Sequence, residues 1–366
     1  MNRRIATIEN RKVLADSGEV TINLGVRDPI TALMIEFRAT NGATSNIDNP
    51  LAECVSTVEL IDGGNTIFSL TGMQFAALTA YNRGYIPYWL VSEIPSNVQN
   101  LFGEVQFGRW HGDTVYAFDP SRFSNPQIRV KWNLATNTAV GATGYVSGTM
   151  TLTIRADLMV GAANPQGFIT AKQHYSFTTA ASGTEYIDLP VDRRLKGLML
   201  QSLSDTGGGL YGLSNIKLSC DQDKFIPFYL SKVDFQRALS LKNPEFHYKH
   251  GFYASNTDTI YPVLKQDEVL SLTPDTGDMV AAYLNTGIGS GAITLYNAGS
   301  AYTTDKTLWG EVCGWSPFHT GYMDMGEYDD PASWLDVSSF RSARLELTEN
   351  AASATASAVL IQEVVY

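Results

Sequence analysis

Leu70-Thr71-Gly72-Met73-Gln74-Phe75 and Leu230-Ser231-Lys232-Val233-Asp234-Phe235 stand 160 residues apart (231 − 71 = 160), and their likeness organises the whole chain. In the first, Thr71 is placed to cap a helix and Gln74, three residues on, to reach back and close a capping box, while Gly84 is placed to stop the helix. In the second, Ser231 takes the cap position and Asp234 that of a weaker partner. One short helix therefore occurs twice, in a chain where helical periodicity is otherwise nearly absent.

The surroundings of that helix repeat as well. Ala32-Leu33-Met34-Ile35 has a counterpart in Gly197-Leu198-Met199-Leu200, and Val55, Val58, Leu60 in Leu213, Ile216, Leu218. Elsewhere the signal is that of strands: Val20, Ile22, Leu24 and Val26 alternate with Thr21, Asn23 and Gly25, and Ile128, Val130, Trp132 and Leu134 with Arg129, Lys131 and Asn133. Tight turns such as Asp62-Gly63-Gly64-Asn65 complete an all-β pattern. Each half closes on an expected hairpin, Ile128 to Leu134 into Met150 to Ile154, and Ala343 to Leu347 into Ala358 to Val365. The expected organisation is an N-terminal arm (1–17), a first β domain (18–160), a linker (161–182) and a second β domain (183–366). Between helix and hairpin the first copy spends residues 82–127 and the second 241–340, so the second carries a long insertion, placed at about 298–340, that holds Trp309, Trp315 and Trp334.

Composition narrows the function. The chain has 366 residues, 17% of them charged against about 25% in ordinary soluble domains, with 44% hydrophobic and a net charge of −11. So acidic a body repels phosphate backbones, which excludes nucleic-acid binding as its main role. Cys54, Cys220 and Cys313 form no CxxC pair and are expected to be reduced. The first residues lack the apolar core of a signal peptide and no 18-residue apolar run occurs, so synthesis in a cytoplasm is expected. No GxSxG, HExxH or GxxxxGK[ST] pattern is found. His247 and His250, three apart, and the acidic run Asp324, Glu327, Asp329, Asp330 read as surface or interface groups, not as metal ligands. No catalytic set, cofactor or metal is expected.

A tandem of β domains, each with a short midway helix, resembles the double jelly-roll major capsid proteins of tailless icosahedral viruses of bacteria and archaea. Asp62-Gly63-Gly64-Asn65-Thr66-Ile67, Ser69-Leu70-Thr71-Gly72 and Gly84-Tyr85-Ile86-Pro87 carry the resemblance in the first copy, and Gly197-Leu198-Met199-Leu200 with Ile226-Pro227-Phe228-Tyr229-Leu230 in the second. It implies two tandem eight-stranded jelly-roll β-sandwiches, homotrimers that tile a shell as pseudo-hexagonal capsomers, and location in a virion capsid assembled in the host cytoplasm. Penton proteins, minor capsid proteins and an internal lipid membrane would be the further partners. It also implies that the basic start, Arg3, Arg4, Arg11 and Lys12, faces the interior or a membrane. The Trp309, Trp315 and Trp334 segment would then form an outer loop or a subunit interface. The alternative is a β-sandwich carbohydrate-binding or virion spike protein that stacks ligand on those tryptophans.

Overall fold

The computed structural model describes residues 2–43, 50–87, 91–135, 144–161, 164–203, 209–254, 259–260, 271–274, 280–285, 292–297 and 306–366. Its first half is built from strands β1 (Asn2–Val13), β2 (Ser17–Asn23), β3 (Ile30–Thr40), β4 (Val55–Asp62), β5 (Asn65–Leu70), β6 (Val98–Gln106), β7 (Pro126–Asn133) and β8 (Thr151–Val160). Helix α1 (Gly72–Arg83) lies between β5 and β6. In β3, Leu33, Ile35 and Phe37 are buried while Met34, Glu36 and Arg38 between them are only half-buried, as expected of a strand with one face on a core. Two rows result, β1-β8-β3-β6 and β2-β7-β4-β5, and apart from the β4–β5 hairpin successive strands alternate between them. That alternation is the jelly-roll wrap.

The second half repeats it strand for strand. It contains β9 (Gly167–Thr178), β10 (Gly183–Leu189), β11 (Leu195–Leu203), β12 (Leu213–Cys220), β13 (Phe225–Ser231), α2 (Lys232–Lys242), β14 (Thr320–Asp324), β15 (Ala343–Glu349) and β16 (Thr355–Val365). The rows are β9-β16-β11-β14 and β10-β15-β12-β13, so each strand corresponds to the one eight places earlier. Both helices start where the sequence sets them. The Gln74 amide donates to Thr71 Oγ1 at 3.2 Å, the Thr71 amide donates to Gln74 Oε1 at 3.1 Å, and Gly84 ends the helix at φ 71°. In α2 the Asp234 amide donates to Ser231 Oγ, but the shorter Asp234 carboxylate takes the Ser231 hydroxyl at 2.7 Å instead of a backbone amide.

Four expectations are corrected by this topology. The arm 1–17 is largely β1, hydrogen-bonded along β8 from Asn2 to Val13; only Ala6 and Ile8 of this strand pack against the core, so its side chains carry no strand period. The linker 161–182 contains β9, whose Phe168, Ile169 and Ala171 are buried. The closing pairs β7–β8 and β15–β16 are not hairpins, since the members of each lie in opposite rows. Residues 320–324 of the insertion placed at about 298–340 are barrel strand β14, so the excursion runs instead between Lys242 and Thr320. In it, Phe246–Ala254, Lys306–Gly314 and Ser271–Pro274 form a sheet that takes in Val91–Ser92 from the first half. Residues 298–305 lie outside the described residues.

The two barrels are joined by a shared sheet. Ser69 on β5 pairs in parallel with Lys172 on β9, which fuses the rows into β2-β7-β4-β5-β9-β16-β11-β14. Toward its own barrel the second-barrel part of this sheet presents Leu198, Leu200, Ala358 and Leu360; toward the first barrel it presents Ile169, Ala171, Met199, Val359 and Ile361. Helix α1 packs on that outer face, and Tyr81 is its anchor. The Tyr81 ring lies 5.5 Å from those of Phe246 and Tyr322, and its hydroxyl sits 2.9 Å from the Trp315 carbonyl and 2.8 Å from that of Thr320. Tyr81→Phe keeps the shape and removes the only donor to those carbonyls from this ring. It is expected to cost about 1–2 kcal/mol, read as a lowered urea midpoint, and Tyr81→Ala about 3–5 kcal/mol.

Candidate assembly surfaces

The seam between the barrels is one complete example of how this barrel packs against another. Beside Tyr81, the Gln74 side-chain amide donates to Gln173 Oε1 at 2.8 Å and to Ser357 Oγ at 2.9 Å. Thr170 Oγ1 donates to the Ile67 carbonyl, and Lys172 Nζ to that of Thr66. Farther along, Arg109 forms a forked pair with Asp113 and donates to the Asp329 carbonyl at 2.8 Å, while the Tyr328 hydroxyl donates to the Arg109 carbonyl. Lys196 is buried here against the Tyr322 hydroxyl at 3.3 Å and the Tyr328 ring; burial lowers its pKa to about 8, against an opposing pull from Asp324.

The four basic residues singled out in the sequence do not form a free arm. Strand β1 carries all of them: Arg3 meets Asp157 at 2.5 Å, Arg4 lies 3.9 Å from Asp28, Lys12 lies 3.6 Å from Glu9, and Arg11 turns at φ 48° where the β1–β8 register shifts. Arg3 belongs to a charge network on the outer face of β1-β8-β3-β6. His111 Nδ1 stands 3.0 Å from Asp157 Oδ2 and its Nε2, which Arg83 also contacts, 3.0 Å from Glu104 Oε2, so a ring that carries both protons can donate to both carboxylates. Arg83, the last residue of α1, reaches Glu104 at 2.6 Å, and Thr31 Oγ1 donates to Asp157 at 3.0 Å. The hydrogen bonds to Asp157 and Glu104 raise the His111 pKa against the effect of burial. Burial pushes the Asp157 carboxyl up, but the bonds from His111, Arg3 and Thr31 outweigh it and hold it at about 2.

The three tryptophans are not brought together. Trp309 lies on strand Lys306–Gly314 opposite Gly251, and Trp315 offers its carbonyl to Tyr81. Trp334 is 2% exposed, with its ring 5.9 Å from that of Tyr116 and its indole N–H donating to the Glu327 carbonyl, so it fills the barrel seam and faces no neighbour. His247 and His250 also diverge: His250 is buried against Glu93 at 3.0 Å, whereas His247 is half-exposed near Glu245. Among the described residues no group of three His, Cys, Asp or Glu side chains is arranged to hold a metal, and no helix is long and apolar enough to cross a membrane.

What sequence reading missed is the contrast between the two helices. Ten residues of α1 are buried, against Phe235, Gln236 and Leu239 alone in α2. Counting from the caps, Tyr81 corresponds to Leu241 (81 − 71 = 241 − 231); Tyr81 is 7% exposed and Leu241 is 88% exposed. Strand β13 beside α2 ends its row and exposes Phe225, Ile226 and Tyr229, whereas the corresponding β5 is covered by β9. Pro227 and a register shift fall in this open strand. The 160-residue offset contained the signal, because it sets Tyr81 against Leu241 and Gln74 against Asp234.

No family model matches the chain, and no curated protein matches it either. Solved structures do. The major capsid protein of Sulfolobus Turreted Icosahedral Virus matches over 100% of this chain and 97% of its own, with 11% identity and a TM-score of 0.58. The major capsid protein P2 of bacteriophage PM2 matches over 100% and 98%, with 12% identity and a TM-score of 0.54. The PBCV-1 virus capsid structure matches over 99% and 94%, with 13% identity and a TM-score of 0.55. The chain has the double jelly-roll fold. In this double jelly roll the second barrel's β9-β16-β11-β14 row is covered by the first barrel, while the corresponding β1-β8-β3-β6 row carries the His111 network.

His111→Ala is expected to lower the urea midpoint at pH 5 by the equivalent of about 1–3 kcal/mol, and by less at pH 9. The raised His111 pKa gives stability that is complete below the unfolded value near 6.5 and lost as the pH rises through the folded value. Asp157 acts in the opposite sense, its contribution fading as the pH falls from about 4 toward about 2.

Proposed function

We propose that this chain is a major capsid protein, a non-catalytic structural subunit whose homotrimers tile an icosahedral virus shell as pseudo-hexagonal capsomers. The observation that carries the reading is the shared sheet, in which the β5 edge of one barrel runs into the β9 edge of the next. Such a contact is head-to-tail: it uses two different edges, and it leaves β1 at one end of the chain and β13 at the other without an in-chain barrel beyond them. Head-to-tail contacts between like units close into rings when the rotation permits. Six barrels from three chains make a near-hexagonal tile, and the solved relatives of this fold include major capsid proteins of icosahedral viruses.

On this reading the chain's first partner is itself and its location is the virion, after synthesis in the host cytoplasm. Neighbouring capsomers, penton proteins, minor capsid proteins and, where a shell encloses one, a lipid membrane are the further partners. The side chains of Arg4 and Lys12 on β1 are the groups through which anionic headgroups or internal proteins would be met. The alternative of a sugar-binding or spike protein loses its footing where Trp334 is sealed in the seam.

Mass photometry and sedimentation of the purified chain are expected to give one species at about 120 kDa, three times the 40.0 kDa of one chain, with no smaller species at micromolar concentration. A stable monomer or dimer would overturn the reading.

A further inference from the structure

We infer that the bare face of α2 and the open edge of β13 are the seat of a second copy of this chain, which enters with β1 and the outer face of β1-β8-β3-β6. The inference rests on the proposed self-assembly and specifies its surfaces. Its warrant is the seam inside the chain, where the corresponding helix and edge are already occupied by the corresponding sheet.

The strand registers carry the correspondence to single residues. In the second barrel Lys172 and Leu198 both pair with Leu360; in the first, Ala6 and Leu33 both pair with Ala156. Leu198 and Leu33 point into their own cores, so Lys172 corresponds to Ala6. On the other side, Glu59 pairs with Ser69 and Lys217 with Tyr229, two residues before each helix cap, so Ser69 corresponds to Tyr229. The in-chain pair Ser69–Lys172 therefore becomes Tyr229 of one copy beside Ala6 of the next. By the same registers Gln173 and Ser357, which receive the Gln74 amide, correspond to Thr7 and Thr153. Asp234 stands in place of Gln74.

The chemistry of the two faces fits. Asp234 has an exposed carboxylate, and the positions it meets lie beside Arg11, whose amide already donates to Thr153 Oγ1 at 3.2 Å, and beside half-buried Arg155. Apolar groups match as well: Leu241, Phe225, Ile226 and Tyr229 are exposed on one side, and Ile5, 62% exposed, with half-buried Met34 on the other. Phe225 stacks on Phe340 of its own barrel at 5.5 Å, but Leu241, Tyr229 and Ile5 are each more than half exposed, and apolar groups left in water in this way call for a partner.

Two measurements test this on the full-length chain. Leu241→Arg, at a position already in solvent, is expected to raise the concentration at which half the protein is assembled by about a hundredfold, with an unchanged thermal unfolding profile of the monomer. The double variant Ala6→Cys/Tyr229→Cys, oxidised, is expected to give inter-chain disulfides on a non-reducing gel, with a ladder that stops at three chains. Neither single variant should do so, because the chain's own three cysteines are buried. If wild type assembles into trimers while Leu241→Arg assembles equally well and the double variant does not cross-link, the surfaces assigned here are wrong although self-assembly stands. A ladder continuing past three chains would overturn the closed arrangement. Wild type that stays monomeric overturns the proposed function itself, and this inference with it.

Discussion

One sheet serves two cores, and the remainder of the molecule is arranged around that fact. The β9-β16-β11-β14 row has apolar side chains on both faces, so it can leave water only if something apolar covers the side turned away from its own barrel. Helix α1 supplies that cover. Its burial on nearly every side follows, as does the position of Tyr81, whose hydroxyl needs two carbonyls that lie in the other half of the chain. The first barrel is thus not tethered to the second by a linker; the core of the one continues onto the back of the other.

Much of this could be read in the residues. Leu198-Met199-Leu200 and Val359-Leu360-Ile361 are unbroken apolar runs, which is how a strand buried on both faces is written, whereas Met34, Glu36 and Arg38 interrupt Leu33, Ile35 and Phe37 as in a strand with one wet face. Capping chemistry marked both helices, since Thr71, Gln74 and Ser231 act on backbone atoms within three residues. Strand β1 was illegible for the converse reason: its place is fixed by backbone pairing with β8, and its side chains are mostly polar. Strand β9 was hidden because Phe168 and Ile169 are neighbours that are both buried, so no alternation appears. The tryptophans misled through proximity in sequence. Trp315 and Trp334 stand on either side of a barrel strand, β14, that is only five residues long and holds one large apolar group on each face, Met323 and Tyr322.

The corresponding outer faces of the two barrels have diverged in kind. Where the second barrel has Ile169, Ala171, Met199, Val359 and Ile361, the same registers in the first barrel give Arg3, Ile5, Met34, Arg155 and Asp157. The apolar set is covered from the moment the chain folds. The charged set is paired within the chain: Arg3 and His111 meet Asp157, and Arg83 and His111 meet Glu104 Oε2, while the buried Glu104 Oε1 is left without a hydrogen-bond partner.

Pro227 gives the open strand a further property. An uncovered β edge offers a row of amides and carbonyls to any passing extended segment. Proline contributes no amide hydrogen, and the register shift beside it bends the strand away from a straight template. Strand addition at this edge is thereby limited to the few residues next to α2. An edge interrupted in this way is a poor template for the edge-to-edge pairing that builds fibrils.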